Sequence, residues 1–394
     1  MSKTEKSQEL ATLRRNILVL TITEMISNTG WNMHGVIWQP YVLSLGATVS
    51  SLGTLTGAQT MLRAGTLLTT GRISDQIGRK RLMIVASVLS ATGISLSILA
   101  AHWVLVIPSI LLWGFAGAFW EPTFRSMIAE SVENAKRGLT FGLMSLTWYL
   151  PGFYAPALAG YIAETYNSKT VLAILLVCEL TSLAILSVFA RDTLRNKRRF
   201  SLQSLSTIRQ ILKPSGDLRR FYLSAILNTL AFSMTMGTFY GMLIKTFSFS
   251  LLQLGILSNV FSIVTSLFHI PMGRLADRHG RKRFLLLSTA VQVAASAGFI
   301  SSRDFTSFLL FNGLSGLAAS IWNPAYMAYL SDAAPPEEIG RFFGDLAGLT
   351  SLFSFPAPII GALLYENYGL QAPLTVSFLL YFITLLTLTR IRSR

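Results

Sequence analysis

The feature that most constrains this chain is the length of its apolar runs. Ile17 to Ile22, Leu82 to Ala101, Val104 to Phe119, Val171 to Ala190 and Leu374 to Leu388 are almost free of charge. A helix of about 20 apolar residues matches the ~30 Å hydrocarbon core of a bilayer. Only 13% of the 394 residues are charged, with a mean hydropathy of +0.52. Soluble domains carry about 25% charged residues. A chain this poor in charge cannot cover a water-facing surface, which excludes a soluble enzyme.

Apolar windows bounded by charges or turn residues predict an all-α membrane protein with twelve spans: 16–45, 51–70, 82–100, 103–125, 139–163, 170–190, 219–246, 252–272, 284–301, 305–328, 342–365 and 371–390. An even number puts both termini on one side. With that side taken as cytoplasmic, 29 of the 33 Lys and Arg fall on inside segments, against three outside and Arg63 within a span. This is a strong positive-inside bias. It accounts for the net charge of +15 without a nucleic-acid partner. It also predicts a basic face toward anionic lipid. The N-terminus, MSKTEKSQELATLRR, is too polar and long for a signal n-region, so the first span is expected to remain uncleaved. The single Cys178 lies in an apolar run and reads as a small buried side chain. No P-loop or His-x-x-x-His pair is present, so no cofactor is expected and the energy source is an ion or substrate gradient, the proton foremost.

The chain repeats itself. Residues 71–81 read GRISDQIGRKR and residues 273–283 read GRLADRHGRKR, an offset of 202. The same offset carries Trp120-Glu121-Pro122 onto Trp322-Asn323-Pro324, Phe141-Gly142 onto Phe343-Gly344, and Pro156 onto Pro358. Each half is therefore six helices, and two halves of even count are parallel repeats. The expected units are a first bundle over 1–190, a cytoplasmic linker over 191–218, and a second bundle over 219–394.

These motifs resemble the major facilitator superfamily of secondary transporters. The resemblance rests on Gly71-x-x-x-Asp75-x-x-Gly78-Arg79-Lys80-Arg81 between spans 2 and 3, and on its copy from Gly273 through Asp277, Gly280 and Arg281 to Arg283. It implies the major facilitator fold of two six-helix bundles, with spans 1, 2, 4, 5, 7, 8, 10 and 11 around a cavity, spans 3, 6, 9 and 12 peripheral, and alternating access by rocking. It implies that Asp75 meets the start of span 11 around Arg341, with Arg125 as a second partner, and that Asp277 mirrors it against span 5. Glu130 and Arg137 resemble the Glu-x6-Arg motif of sugar porters. Pro151-Gly152 and Pro156 resemble a loosened form of the glycine-proline motif of drug:proton antiporters. All these charges read as conformational latches, or more simply as a topology-setting loop. Gly71 and Gly78 would let helices approach and the loop bend.

A charge at mid-bilayer costs ~2.5–3.5 kcal/mol on insertion scales, so each one inside a span needs a reason. Glu24 shares a helical face with Asn28, Trp31, Gly35 and Trp38. Arg63 lies at similar depth in span 2 with Gln59 on its face. Coupling of Glu24 to Arg63 is expected, either as a proton-loading carboxylate or as a static ion pair. Glu121 reads as a cavity residue or as a local partner of Arg125. Glu179, in a peripheral span, has no evident role. His34 reads as a proton shuttle or as a hydrogen-bonded packing residue. Trp38 and Trp103 fit an interfacial belt. Trp31, Trp113, Trp120 and Trp148, with Tyr149, read as an aromatic wall or as core, and Asn323 would add a polar group.

The expectation is a monomeric, multi-pass transporter of the cell membrane that exports a small amphiphilic or drug-like molecule against protons. Uptake of a polar nutrient or organic anion is the alternative within transport. A non-transporting receptor or lipid-handling protein on the same scaffold is the alternative outside it.

Overall fold

The computed structural model describes residues 3–132, 140, 144, 146–193, 216–333 and 339–391. Among the described residues there is no strand. In chain order the helices are α1 (Lys3–Ser44), α2 (Val49–Ile77), α3 (Arg79–Leu99), α4 (Ile107–Ser131), α5 (Ala155–Thr165), α6 (Ser168–Phe189) and α7 (Gly216–Met236). They continue as α8 (Phe239–Phe247), α9 (Leu251–His279), α10 (Arg281–Ser301), α11 (Phe305–Ala333), α12 (Ile339–Ser354), α13 (Ala357–Tyr368) and α14 (Gln371–Thr389). Eight described helical stretches are long and apolar enough to cross a membrane.

Three expected spans are interrupted, and local chemistry explains each break. The stretch 139–163 carries a 3-10 turn at Pro151–Phe153 before α5. The stretch 219–246 breaks between Met236 and Phe239, and 342–365 breaks between Ser354 and Ala357. Proline has no N–H to give to the preceding turn, and glycine weakens a helix interior. The repeat shows in these breaks: α5 and α13 start 202 residues apart, at Ala155 and Ala357, each followed by proline. It shows again where α2 turns into α3 and α9 into α10. Gly78 (φ 109°) and Gly280 (φ 99°) sit in a region that side chains rarely adopt. α9 opens on a capping box, in which Gln253 N donates to Ser250 Oγ at 3.2 Å and Ser250 N to Gln253 Oε1 at 2.9 Å.

The chain divides into two compact units, Met1–Gly46 with Leu62–Phe200, and Ala47–Met61 with Ser201–Arg394. In the first unit α1 packs along α6 and α5, and α3 packs on α4 and α6. Its core gathers Leu20, Met83, Met127, Ile128 and Leu186, all fully buried. In the second unit α11 packs on α9 and α10, and α7 on α14, α13 and α12. Phe221, Leu285, Ala325, Leu330 and Leu346 form its core. The first turns of α2 belong to the second unit because small residues seat them there. A Cβ on Gly57 would lie 2.8 Å from the Phe355 carbonyl oxygen, and Ser50 gives its N–H (2.9 Å) and hydroxyl (2.5 Å) to the Glu366 carboxylate.

Candidate transport and ion-pair sites

In the first unit, α1 brings Glu24 against α4. Glu24 accepts two hydrogen bonds, from Trp120 Nε1 at 2.5 Å and from Asn28 Nδ2 at 2.8 Å. Asn28 is four residues on, so helical spacing alone aligns it with Glu24. Trp120 stacks on Phe124 one turn later on α4, with centroids 6.3 Å apart. Arg63 is not the partner of Glu24. Its guanidinium is paired with Glu121, the residue after Trp120, and Glu121 also receives Arg125 at 2.8 Å. The expected Glu24–Arg63 couple is thus corrected: consecutive residues on α4 address α1 and α2 separately, because Trp120 and Glu121 point about 100° apart around the helix. Arg125 likewise serves Glu121 and not Asp75. The side chains of Arg63, Glu121 and Arg125 keep 47%, 42% and 58% of their surface accessible, so this triplet is reachable by water or ligand.

Further along α1, His34 sits inside an indole box. Trp31, Trp38 and Trp113 approach it with centroid distances of 5.0, 5.0 and 4.9 Å. Trp38 and Trp113 also meet each other at 4.8 Å. Trp38 therefore belongs to this packed box. His34 Nε2 is buried without a hydrogen-bond partner. The hydrogen-bonded packing role for that nitrogen is not what the structure shows. Trp148 stands apart with 53% of its surface exposed, beside a half-buried Tyr149. The aromatic wall thus splits into the box, the Trp120–Phe124 stack and an exposed Trp148. Gln59 and Asn323 belong to the second unit, Gln59 half-buried on α2 and Asn323 exposed on α11.

The motif between α2 and α3 is an ion-pair cluster. Arg79 pairs with Asp75 at 2.8 Å and with Glu130, at the end of α4, at 3.0 Å. Its Nη1 donates to Ser74 Oγ at 2.7 Å. Gly78 leaves room for the Asp192 carboxylate, which accepts the Arg79 backbone N–H at 3.1 Å and so caps α3. Thr193 Oγ1 donates to Glu130 at 2.5 Å, and Lys80 Nζ to the Ser187 carbonyl at 2.7 Å. Gly71, expected to permit close approach, faces open space: a Cβ there would meet nothing within 4 Å. Arg137 and the side chain of Arg341 lie outside the described residues.

The second unit repeats the cluster at the same offset. Arg281 pairs with Asp277 at 3.7 Å and with Asp332 at the end of α11, and Lys282 Nζ donates to the Thr389 carbonyl at 3.1 Å. Asp75, Glu130 and Ser187 thus correspond to Asp277, Asp332 and Thr389, each 202 residues on. Gly273 lies close to Pro324, with 3.4 Å from a built Cβ to the ring. Asp75 pairs with Arg79 and Asp277 with Arg281, each within its own motif; the expected contacts with the starts of spans 11 and 5 fall largely outside the described residues. Asp332 escaped the sequence reading although the offset applied to Glu130 points to it. Asp192 and Thr193 had no such signal, because their contacts are set only by the packing of α6.

Glu179, without a role from sequence, accepts Ser27 Oγ at 2.8 Å and is 5% exposed. Among the described residues, no group of three or more His, Cys, Asp or Glu is placed to hold a metal ion.

Long apolar helices in two units, with one ion-pair cluster repeated in each, define a multi-pass helical membrane protein of the secondary-transporter class. The chain belongs to the Major Facilitator Superfamily, whose model matches residues 20–218 and 221–394. This is a family of membrane transporters and not of enzymes. The chain is 26% identical to the multidrug resistance protein MdtG of Proteus mirabilis over 318 residues, 77% of this chain and 76% of that protein. It is 23% identical to a multi-drug resistance efflux pump PmrA homolog of Lactococcus lactis, over 74% of this chain and 73% of that protein. In fold it is similar to a bacterial homolog of the human lysosomal transporter Spinster (TM-score 0.76, 13% identity, all of both chains). It is also similar to the human organic anion transporter MFSD10 (TM-score 0.70, 18% identity, 95% of this chain and 99% of that one).

Proposed function

We propose that this transporter exports a small amphiphilic or drug-like molecule in exchange for protons, with Glu24 as the proton-carrying group. The observation that carries the reading is the setting of Glu24: a carboxylate within an apolar helix, held by one indole N–H and one amide, on the helix that bears the indole box. An intramembrane carboxylate is costly and marks an ion or proton path. A proton arriving at Glu24 turns one of its two oxygens into a donor, so the pair of bonds from Trp120 and Asn28, one on each oxygen, must rearrange. An amphiphilic cation satisfies the same carboxylate through charge and the neighbouring indoles through cation–π contact. Proton and substrate thus compete for one group, which is the requirement for exchange. The names of the relatives, a multidrug resistance protein at 26% identity and a multi-drug resistance efflux pump homolog at 23%, support this direction.

The protein works as a monomer in the cytoplasmic membrane, with both termini and the two ion-pair clusters on the cytoplasmic side, next to anionic lipid. The clusters act as latches between conformational states. A second reading, transport of an organic anion, is favoured by the accessible guanidinium groups of Arg63 and Arg125. Flux in proteoliposomes separates the two. Under export by exchange, an inward proton gradient drives ethidium out against its gradient and Glu24→Gln abolishes the drive. Undiminished pH-driven flux in Glu24→Gln refutes the reading, and gradient-driven movement of an organic anion lost in Arg63→Gln establishes the second.

A further inference from the structure

α6 is a helix with one face toward lipid and one toward the protein. Val177, Leu180, Val188 and Phe189 are 47–67% exposed. Val171, Leu172, Leu175, Glu179, Ser182 and Leu186 are buried, and their spacing of one, three and four residues traces one helical stripe. Glu179 occupies the middle of that stripe, where the pattern calls for another leucine. The seam it enters is tight. A Cβ on Gly30 of α1 would lie 2.7 Å from Leu175 Cδ1 and 3.3 Å from Cys178 Cβ, and Ser182 Oγ donates to the Thr23 carbonyl at 3.0 Å. The carboxylate is therefore enclosed by α1, α3 and α6, with the Ser27 hydroxyl donating to it at 2.8 Å and the Ser90 hydroxyl and Trp31 indole as further donors.

Two adjacent residues of α1 thus serve two carboxylates. Asn28 donates to Glu24 and Ser27 donates to Glu179. Glu24 and Ser27 are three residues apart and neighbour each other on the helix surface. A single turn of α1 holds one acid on the side of α4 and another on the side of α6. The charged and titratable groups around Glu179 do not neutralise it. α1 brings Glu24, itself acidic, and α6 brings Cys178. The charges of α3, Arg79, Lys80 and Arg81, lie at its start, while α5 contributes Tyr161 and Glu164 near its end. Three neutral donors, Ser27, Ser90 and Trp31, are only partial compensation for an ionised carboxylate removed from water. A second carboxylate one turn away adds repulsion when both are ionised.

We propose that Glu179 is a second proton-binding site of the transporter, linked to Glu24 through the Ser27–Asn28 turn, so that the two acids load and release protons as a coupled pair. This rests on the proton-exchange reading of Glu24 and extends it to a stoichiometry above one. Motion of α1 during transport would shift both acids together, since Ser27 and Asn28, one donor to each, sit on the same turn.

Infrared difference spectroscopy on the full chain in lipid nanodiscs, stepped from alkaline to acidic pH without substrate, tests it. The protonated carboxyl C=O stretch reports neutral buried acids directly. The expected wild-type spectrum gains two such bands. Glu24→Gln loses one and Glu179→Gln loses the other, and each single variant moves the midpoint of the band that remains. Ser27→Ala, which keeps both acids, moves the midpoint of the Glu179 band and keeps the proposal testable if Glu179→Gln fails to fold. A Glu179→Gln spectrum identical to wild type, or a Ser27→Ala titration unchanged from wild type, overturns the proposal and leaves Glu179 a static packing group. Proton-driven ethidium flux in wild type, measured alongside, keeps the two questions apart. If flux is proton-driven but the Glu179 band does not titrate, only the second site fails; if flux ignores the gradient, the exchange reading itself fails.

Discussion

Substituting the two latch arginines to alanine should affect the two units unequally, and the structure gives the size of the difference. Arg79 keeps only 11% of its side-chain surface, and its partners Asp75 and Glu130 keep 33% each. Removing it takes the arginine from two carboxylates, leaving Glu130 with Thr193, and from the Ser74 hydroxyl, which keeps Thr123. Breaking a buried ion pair costs ~3–5 kcal/mol, and the one-third exposure of the acids places this case near the lower figure. Arg281 is 28% accessible, while Asp277 and Asp332 are 63% and 56% exposed. Pairs that open to solvent are worth about 0.2–1 kcal/mol. For a unit of roughly 190 residues, 1 kcal/mol moves the midpoint of thermal unfolding by about 2–4 °C. Arg79→Ala should therefore lower it by about 6–12 °C, and Arg281→Ala, which loses two solvent-open pairs, by about 8 °C at most. The chain supplies its own probe. Its single cysteine, Cys178, is half-buried at the α1–α6 seam of the first unit. Labelling by a thiol-reactive dye during heating reads unfolding of that unit alone. Arg79→Ala should advance labelling by the full shift and Arg281→Ala should barely move it. Equal shifts, or a larger one for Arg281→Ala, would refute the assignment of Arg79 as the buried keystone.

Other substitutions probe separate links. Trp120→Phe keeps the stack on Phe124 and removes only the indole N–H; a donor to a charged group contributes about 1.5–3 kcal/mol, so the pH midpoint of proton-driven flux should move by about one to two units, and an unchanged midpoint counts against the Trp120–Glu24 bond. Gly30→Ala should destabilise the first unit by about 1–3 kcal/mol through overpacking on Leu175, read by earlier Cys178 labelling. Asp304 lies in the loop before α11, where the Ser307 backbone N–H (3.0 Å) and hydroxyl (3.1 Å) hold its carboxyl below its usual value of 3.8. Its contribution is complete above that value and is lost as pH falls through the lowered one. Asp304→Ala should therefore lower thermal stability at neutral pH, and the difference from wild type should vanish in strong acid.

The sequence made the fold legible because bilayer length, charge asymmetry and an internal repeat are all local or periodic signals. The offset of 202 places Gly78 against Gly280 and Ala155 against Ala357, and the structure puts matching φ angles and helix starts there. Partner choice was less legible. Arg63 and Glu24 share a depth, yet Arg63 is bound to Glu121, because rotation about the helix axis decides contacts that depth leaves open. Trp38 read as interfacial from its place near a span end, and its angle on α1 turns it into the box around His34. Glu179 is the same problem in its hardest form. Span 6 is exposed on one side and buried on the other, and only the stripe pattern through Leu175 and Ser182 shows which side holds the acid.

The repeat also separates what the fold needs from what the chemistry needs. Both units retain the arginine with its two acids, the lysine on a helix-end carbonyl, and the aromatic stack one turn apart, Trp120 on Phe124 and Trp322 on Tyr326. These elements survive in both copies and so belong to the repeated framework, the proposed latches included. The charges at mid-helix do not survive. At the offset from Arg63 stands Thr265, 4% exposed, whose hydroxyl donates to the Gly316 carbonyl at 3.1 Å and seals α9 to α11. At the offset from Glu121 stands Asn323, exposed and neutral. Where the first unit spends stability to keep an accessible Arg–Glu–Arg triplet inside its helices, the second closes the same gap with a threonine. Intramembrane charge is costly and needs a compensating use. Among the described residues such charge is found at mid-helix on α1, α2, α4 and α6, which supports the proposal that proton exchange is carried by the first unit.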